Sequence, residues 1–165
     1  TVAADGVSDT KSAGIPDLYS ALTGTAIPLS QVNDVTFASE VLGKGIAVIP
    51  EKGEVVAPCD ATVETVFDTK HAVGMSTESG VELLIHIGIN TVELGGKYYT
   101  THVKDGDQVK KGQLLVSFDM DKIKEAGYDV TTPLIVTNSD DYRDVKILHE
   151  GMVTPEDKVL EIVKE

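Results

Sequence analysis

An imidazole placed inside a run of aliphatic side chains needs a partner or a task, and this chain contains one. Val81-Glu82-Leu83-Leu84-Ile85-His86-Ile87-Gly88-Ile89-Asn90 puts His86 in the middle of an apolar segment. Burying such a group without a hydrogen bond costs a few kcal/mol. Two readings are open: a core histidine satisfied by a hydrogen bond, or a reactive ring held in a dry pocket. His71 lies fifteen residues upstream, just after Phe67-Asp68-Thr69-Lys70. A neutral imidazole offers one lone-pair nitrogen, while its other N–H can be held by an acceptor that fixes the tautomer. The free nitrogen is then available for nucleophilic attack or for metal ligation. Taken singly, His71 fits a turn or surface histidine and His86 fits a structural one. His102 and His149 have no comparable surroundings and read as structural or surface residues.

A strand must position His86, and alternation along it sorts the side chains into two faces. Leu83, Ile85, Ile87 and Ile89 form the natural core row, while Glu82, Leu84, His86 and Gly88 point the other way. His86 is therefore expected off the core face, beside a glycine whose missing side chain leaves the backbone open to a partner. Along the rest of the chain, Gly, Pro, Asn and Asp cut the sequence into short β-rich runs. Strands are expected at 45–50, 54–57, 62–67, 80–89, 97–103, 113–118, 134–137, 144–148 and 158–163. One short helix is expected over Asp121–Ala126, with Asp119 or Asp121 near its start and Gly127 past its end. Many short strands with scarcely any 3.6-residue period predict an all-β fold, an antiparallel sandwich or barrel with one or two short helices. Residues 1–25, rich in Ala, Gly, Ser, Thr and Asp, are expected to be a linker or flexible tail, with the domain spanning 26–165.

The 165 residues suit one domain with a sizeable core. Hydrophobic residues at 41% and charged residues at 25% are ordinary for a globular protein. No apolar run approaches the roughly 18 residues of a membrane span. The first residues show no basic, apolar, small-residue succession of a secretory leader. Cys59 has no second cysteine to pair with, which fits a reducing compartment. With 14 basic against 27 acidic residues the net charge is −13, which argues against nucleic acid. A phosphorylated group, which needs only local positive potential, stays open, and a basic protein partner would be steered toward this surface.

Gly80-Val81-Glu82-Leu83-Leu84-Ile85-His86-Ile87-Gly88-Ile89-Asn90-Thr91-Val92-Glu93-Leu94 closely resembles the signature of the glucose-type IIA domains of the bacterial sugar phosphotransferase system. The similarity extends through Phe67-Asp68-Thr69-Lys70-His71-Ala72, Gly106 to Phe118 and Thr132-Pro133-Leu134-Ile135, and covers nearly everything from about residue 26 onward. The resemblance implies a phosphocarrier on an antiparallel β-sandwich of the duplicated hybrid motif type, with no cofactor required. The histidine matching His86 accepts a phosphoryl group from the phosphohistidine of the carrier protein HPr and passes it to a cysteine on a IIB domain during sugar uptake. The one matching His71 supports the transfer from beside it, and the residue matching Thr69 joins the hydrogen bonding around the pair. Phosphoryl transfer has a loose transition state, so positioning and charge stabilisation carry it.

The resemblance also places the partner surface on Val35, Phe37, Val41, Leu42, Phe67, Leu84 and Val92, with Asp34 facing basic groups on HPr. One position departs from the pattern: Asn90 stands where the family usually carries Asp. An exposed ion pair is worth about 0–1 kcal/mol, so altered docking is expected rather than lost activity. Leu84 stands where some members have Phe, which is expected to shift partner preference. The implied location is cytoplasmic, either free or tethered at the inner membrane face beside IIB and IIC domains of one polypeptide. The Thr1 start and the composition of residues 1–25 are those expected of a module from such a permease. Unphosphorylated domains of this family also dock on other proteins as regulators.

Two other classes share features with the chain. Zinc peptidases of the lysostaphin type use His-x-x-x-Asp and His-x-His elements, but Met75 stands four residues after His71 and Gly88 two after His86. Two histidines leave a catalytic zinc one protein ligand short, so His71 and His86 are expected to hold metal only if a partner supplies a further ligand. The segment Lys104–Gln113 resembles a half-motif of biotinyl and lipoyl domains, and Asp68-Thr69-Lys70-His71-Ala72 faintly resembles the lipoyl Asp-Lys-Ala turn around Lys70, interrupted by His71.

Overall fold

Turn-forming residues recur too closely along this chain for long helices, and every element is short. The computed structural model describes residues 15–164. Its strands are β1 Leu18–Tyr19, β2 Gly24–Pro28, β3 Lys44–Pro50, β4 Glu54–Val56, β5 Ala61–Val66, β6 Ala72–Ser76 and β7 Glu82–His86. They continue as β8 Tyr99–Thr101, β9 Gln108–Val109, β10 Leu114–Phe118, β11 Thr132–Val136, β12 Asp144–Ile147, β13 Gly151–Val153 and β14 Lys158–Val163. The helices are α1 Val35–Ala38 and α2 Met120–Glu125, with single 3-10 turns at Leu29–Gln31, Thr91–Leu94 and Ser139–Asp141.

An eight-stranded sheet in the order β9-β5-β6-β7-β11-β3-β2-β13 forms the main layer, with three-stranded sheets β4-β10-β8 and β12-β14-β1 beside it. Every pairing is antiparallel. The all-β antiparallel architecture read from the sequence is the one found. On one face of the large sheet, Ile46, Val48, Val63, Val73, Met75, Leu83, Ile85, Leu134 and Val136 enter the main core. The smaller sheets close that core with Val55, Val116 and Phe118, and with Leu18, Val159 and Leu160. On the opposite face, Ala47, Leu84 and Ile135 meet Leu29, Val32, Phe37 and Ile89 in a separate apolar cluster. The large sheet is thus partly covered on its outer side by α1 and the turn before it.

Alternation along β7 runs as expected: Leu83 and Ile85 are buried in the main core, and Leu84 and His86 are half-buried on the outer face. The expected strand 80–89 is shorter, however, because Gly88 takes φ +90° and turns the chain. Ile87 still reaches the main core, but Ile89 leaves the row and joins the outer cluster.

The expected tail over 1–25 is corrected where it can be seen. Leu18 (0% exposed), Ala21 and Leu22 sit in the main core, β1 pairs with β14, and β2 pairs with β3. Residues 1–14 lie outside the described residues. A two-residue strand followed by Ser20-Ala21-Leu22-Thr23 shows neither a period of two nor one of 3.6, which is why the sequence conceals it. Strand β6 was equally hidden, since Ala-Val-Gly-Met-Ser has weak β composition, yet it is paired on both sides. The expected helix near 121–126 is α2, with the Asp119 carboxylate accepting from the Lys122 N–H at 3.1 Å. Among the described residues, no helix is long and apolar enough to cross a membrane.

Candidate active site

Register places the two histidines together. Ala72 on β6 lies opposite His86 on β7, so His71, one residue before β6, stands beside the end of β7. The β5–β6 loop is closed by Lys70 N–H to the Phe67 carbonyl at 2.7 Å and by Phe67 N–H to the Ala72 carbonyl at 3.1 Å. The Ile87 N–H donates to the His71 carbonyl at 2.6 Å and extends the pairing past His86. The rings of His71 and His86 meet edge-on, with centroids 4.7 Å apart and planes at 81°. Phe37 from α1 packs on the far side of His86 at 4.9 Å, and Phe67 meets the outer edge of His71 at 5.7 Å. Four rings therefore form one row across the outer face of the sheet.

Each imidazole has one nitrogen engaged. His86 Nδ1 lies 2.7 Å from the Gly88 carbonyl. A carbonyl only accepts, so Nδ1 carries the proton and Nε2 keeps its lone pair. His71 Nδ1 lies 2.7 Å from Thr69 Oγ1. His71 is only 3% exposed, and its burial, with the neighbouring His86, holds it down at about 4. Burial also lowers His86, opposed by its bond to Gly88 and by the Asp34 charge. Both rings are therefore neutral near pH 7, the state in which an imidazole nitrogen is nucleophilic.

Glycine at position 88 serves a different purpose from the open approach expected of it. A Cβ there would lie 2.5 Å from Thr91 Cγ2 and 3.0 Å from the Asp129 carbonyl oxygen. The missing side chain permits the φ of +90° that turns its own carbonyl back to His86. The turn is tied further by Thr91 Oγ1 and Tyr99 OH, each donating to the Ile87 carbonyl at 2.7 Å, and by Ile89 N–H to the Asp129 carbonyl at 2.9 Å. Sequence reading passed over these groups. Thr91 lies within the quoted signature but carries no sign of its bond, and Tyr99 belongs to another sheet.

Of the expected partner surface, Val35 (79% exposed), Val41 (73%), Leu42, Phe67 and Val92 are exposed, and Leu84 is half-buried against the outer cluster. Phe37 is a correction: it is 5% exposed and belongs to the outer core, where its ring supports His86. Asp34 caps α1, accepting from the Thr36 N–H at 2.8 Å, and so holds the helix that carries Phe37. Asn90 is exposed with φ 62°, a left-handed conformation that asparagine tolerates, just before the turn that carries Val92. An open groove of about 590 Å³ runs beside the site, walled by Glu64, Phe67, Gly74, Glu82 and Leu84. His102 and His149 are exposed elsewhere, against Ser117 and the Met152 carbonyl. Met75, at the position where a zinc peptidase needs a ligand, is buried in the main core. Among the described residues, no group of three or more His, Cys, Asp or Glu side chains is placed to hold a metal ion.

The model of one protein family, the phosphoenolpyruvate-dependent sugar phosphotransferase system EIIA 1 family, matches residues 16–142. The chain belongs to this family. Its EIIA domain is 48% identical over 143 residues to a beta-glucoside-specific EIIBCA component of Bacillus subtilis (strain 168), covering 87% of this chain and 24% of that protein. It is 46% identical over 143 residues to a glucose-specific EIIA component of Oceanobacillus iheyensis, covering 86% of this chain and 87% of that one. The solved glucose permease IIA from Mycoplasma capricolum superposes with a TM-score of 0.81 at 34% identity, over 88% of this chain and 94% of that one. The chain thus spans about a quarter of the length of its beta-glucoside relatives.

Proposed function

We propose that this EIIA domain is a histidine phosphocarrier that takes a phosphoryl group onto Nε2 of His86 from the phosphohistidine of HPr and hands it to a cysteine of a IIB domain during sugar uptake. The observation that carries this reading is the bond from His86 Nδ1–H to the Gly88 carbonyl, which leaves Nε2 bare beside a buried second histidine. In the charging step the Nε2 lone pair forms a new N–P bond as the P–N bond of the donor breaks, and that electron pair returns to the donor imidazole. In the discharge step a cysteine thiolate attacks phosphorus and His86 recovers its lone pair. With the Thr69 hydroxyl donating to Nδ1, His71 presents its Nε2–H toward the phosphoryl oxygens and supplies a hydrogen bond without a competing nucleophile. Phe37 and Phe67 flank the pair and keep water from the N–P bond. No step calls for a cofactor.

The exposed Val35, Val41, Leu42, Phe67 and Val92 form an apolar contact surface around this site, and the net charge of −13 favours a basic donor protein. Relatives named EIIBCA and EIICBA components support a IIB and a IIC domain in the same polypeptide, tethering the carrier at the membrane. The same surface would serve regulatory docking in the unphosphorylated state. The test supplies phosphoenolpyruvate, the general phosphotransferase enzyme and HPr to the domain. Acid-labile phosphate should accumulate on the wild type and be absent from His86→Ala; labelling that persists in that variant would remove His86 from the role.

A further inference from the structure

Three successive peptide units after His86 are each pinned by at least one group distant in sequence, namely His71, Tyr99 and Asp129. The His86–Ile87 unit donates through the Ile87 N–H to the His71 carbonyl at 2.6 Å. The Ile87–Gly88 unit accepts, at the Ile87 carbonyl, from Thr91 Oγ1 and Tyr99 OH, both at 2.7 Å. The Gly88–Ile89 unit donates to the Asp129 carbonyl at 2.9 Å and accepts from His86 Nδ1 at 2.7 Å. Gly88 is the joint between the second and third units, and a glycine joint rotates easily. Fixing the plane before it restricts the direction in which its carbonyl points.

The two hydroxyls are placed for that task. Thr91 is fully buried and Tyr99 is 5% exposed, so the Ile87 carbonyl is served by groups shielded from water. Its two lone pairs take one hydroxyl each. Tyr99 lies on β8, outside the sheet that carries His86, and its ring packs on Phe118 at 6.1 Å. A phenylalanine would fill the same space, so packing alone does not call for the hydroxyl. Burial pushes the Tyr99 phenol up to about 12, and it remains an O–H donor across the working pH range.

We propose that Tyr99 and Thr91 are positioning residues for phosphoryl transfer: their hydroxyls hold the Ile87 carbonyl, aim the Gly88 carbonyl at His86 Nδ1, and so keep the attacking lone pair on Nε2. Neither touches the phosphoryl group, and the inference rests on His86 being the acceptor. Tyr99→Phe and Thr91→Val are each expected to slow charging by phospho-HPr about two- to tenfold, the range of one net hydrogen bond. The HPr concentration giving half-maximal rate should not move, because the docking surface is untouched. The double variant should lose more than the product of the two single effects, since it strips a buried carbonyl of both hydroxyl donors.

The decisive readout is the two-bond proton–nitrogen spectrum of the imidazoles, recorded on the unphosphorylated domain. Wild-type His86 should show the Nδ1–H tautomer alone, and the variants should show a growing share of Nε2–H. Phe118→Leu loosens the same ring packing while keeping both hydroxyls, so it should lower stability and leave the tautomer intact. If the double variant does not fold, the spectrum of Tyr99→Phe decides. A folded Tyr99→Phe with wild-type tautomer and charging rate would overturn the proposal, as would a Phe118→Leu domain that reproduces the tautomer change. A wild-type domain with Nδ1–H locked but no uptake of phosphate would instead contradict the carrier reading on which the proposal rests.

Discussion

Alanine at position 88 sets two packed groups and a disfavoured dihedral against the bond that fixes His86. The new Cβ would fall 2.5 Å from Thr91 Cγ2 and 3.0 Å from the Asp129 carbonyl oxygen, at a φ of +90°. Left-handed backbone costs an L-residue roughly 1–2 kcal/mol. Forcing an extra methyl into packed surroundings costs about 1–3 kcal/mol more. The expected loss is therefore about 2–5 kcal/mol, which leaves a domain of mid-range stability, about 10 kcal/mol, still folded at 25 °C. Relief of the clash must rotate the turn, and rotation draws the Gly88 carbonyl away from Nδ1. Losing that bond and the tautomer it selects should slow charging by phospho-HPr about tenfold or more. Urea unfolding gives the first quantity and rapid-quench labelling the second. A Gly88→Ala domain within about 0.5 kcal/mol of wild type that charges within about twofold of its rate would refute the role given to this turn.

Three further outcomes follow from the same geometry. Phe37→Ala should cost about 3–5 kcal/mol in urea unfolding, as for a buried ring, whereas Val35→Ala should cost under about 0.5 kcal/mol and mainly weaken HPr docking; comparable stability losses would contradict the division between core and surface. Thr69→Val removes the partner 2.7 Å from His71 Nδ1 and should slow discharge to a IIB domain about two- to tenfold while charging still occurs, so unchanged discharge would exclude that bond from the mechanism. His71 is held at about 4 against an ordinary 6.5, so between those values the unfolded chain binds more protons than the folded one. Its contribution to stability is present above pH 6.5 and is lost as the pH falls toward 4. The full gap corresponds to about 3 kcal/mol, of which titration from pH 7 down to pH 4.5 samples about 2 kcal/mol. Unfolding midpoints compared between wild type and His71→Gln from pH 7 down to pH 4.5 test this; parallel declines would sink it.

Much of this site could be read from the chain because its strand obeys a period of two. Alternation alone put His86 opposite Leu83 and Ile85, and the faces are as that rule requires. The rule failed at Gly88, where a positive φ ends the strand and sends Ile89 to the outer cluster. The neighbourhood of His71 and His86 came from the family resemblance, since it depends on β6, a five-residue strand with one β-branched residue and a central glycine that does not stand out. Phe37 was misplaced for a related reason. A four-residue helix has no period, and nothing local says which side of it meets the sheet. The hydroxyls of Thr91 and Tyr99 were invisible because their shared target is a backbone carbonyl, which no side-chain pattern encodes.

The central claim concerns one nitrogen of one ring. Phosphorus–nitrogen correlation spectra of the domain charged from phosphoenolpyruvate read it directly. The phosphoryl group should couple to Nε2 of His86, with a proton still on Nδ1 facing the Gly88 carbonyl. Phosphate on Nδ1 of His86, or on His71, would contradict the account.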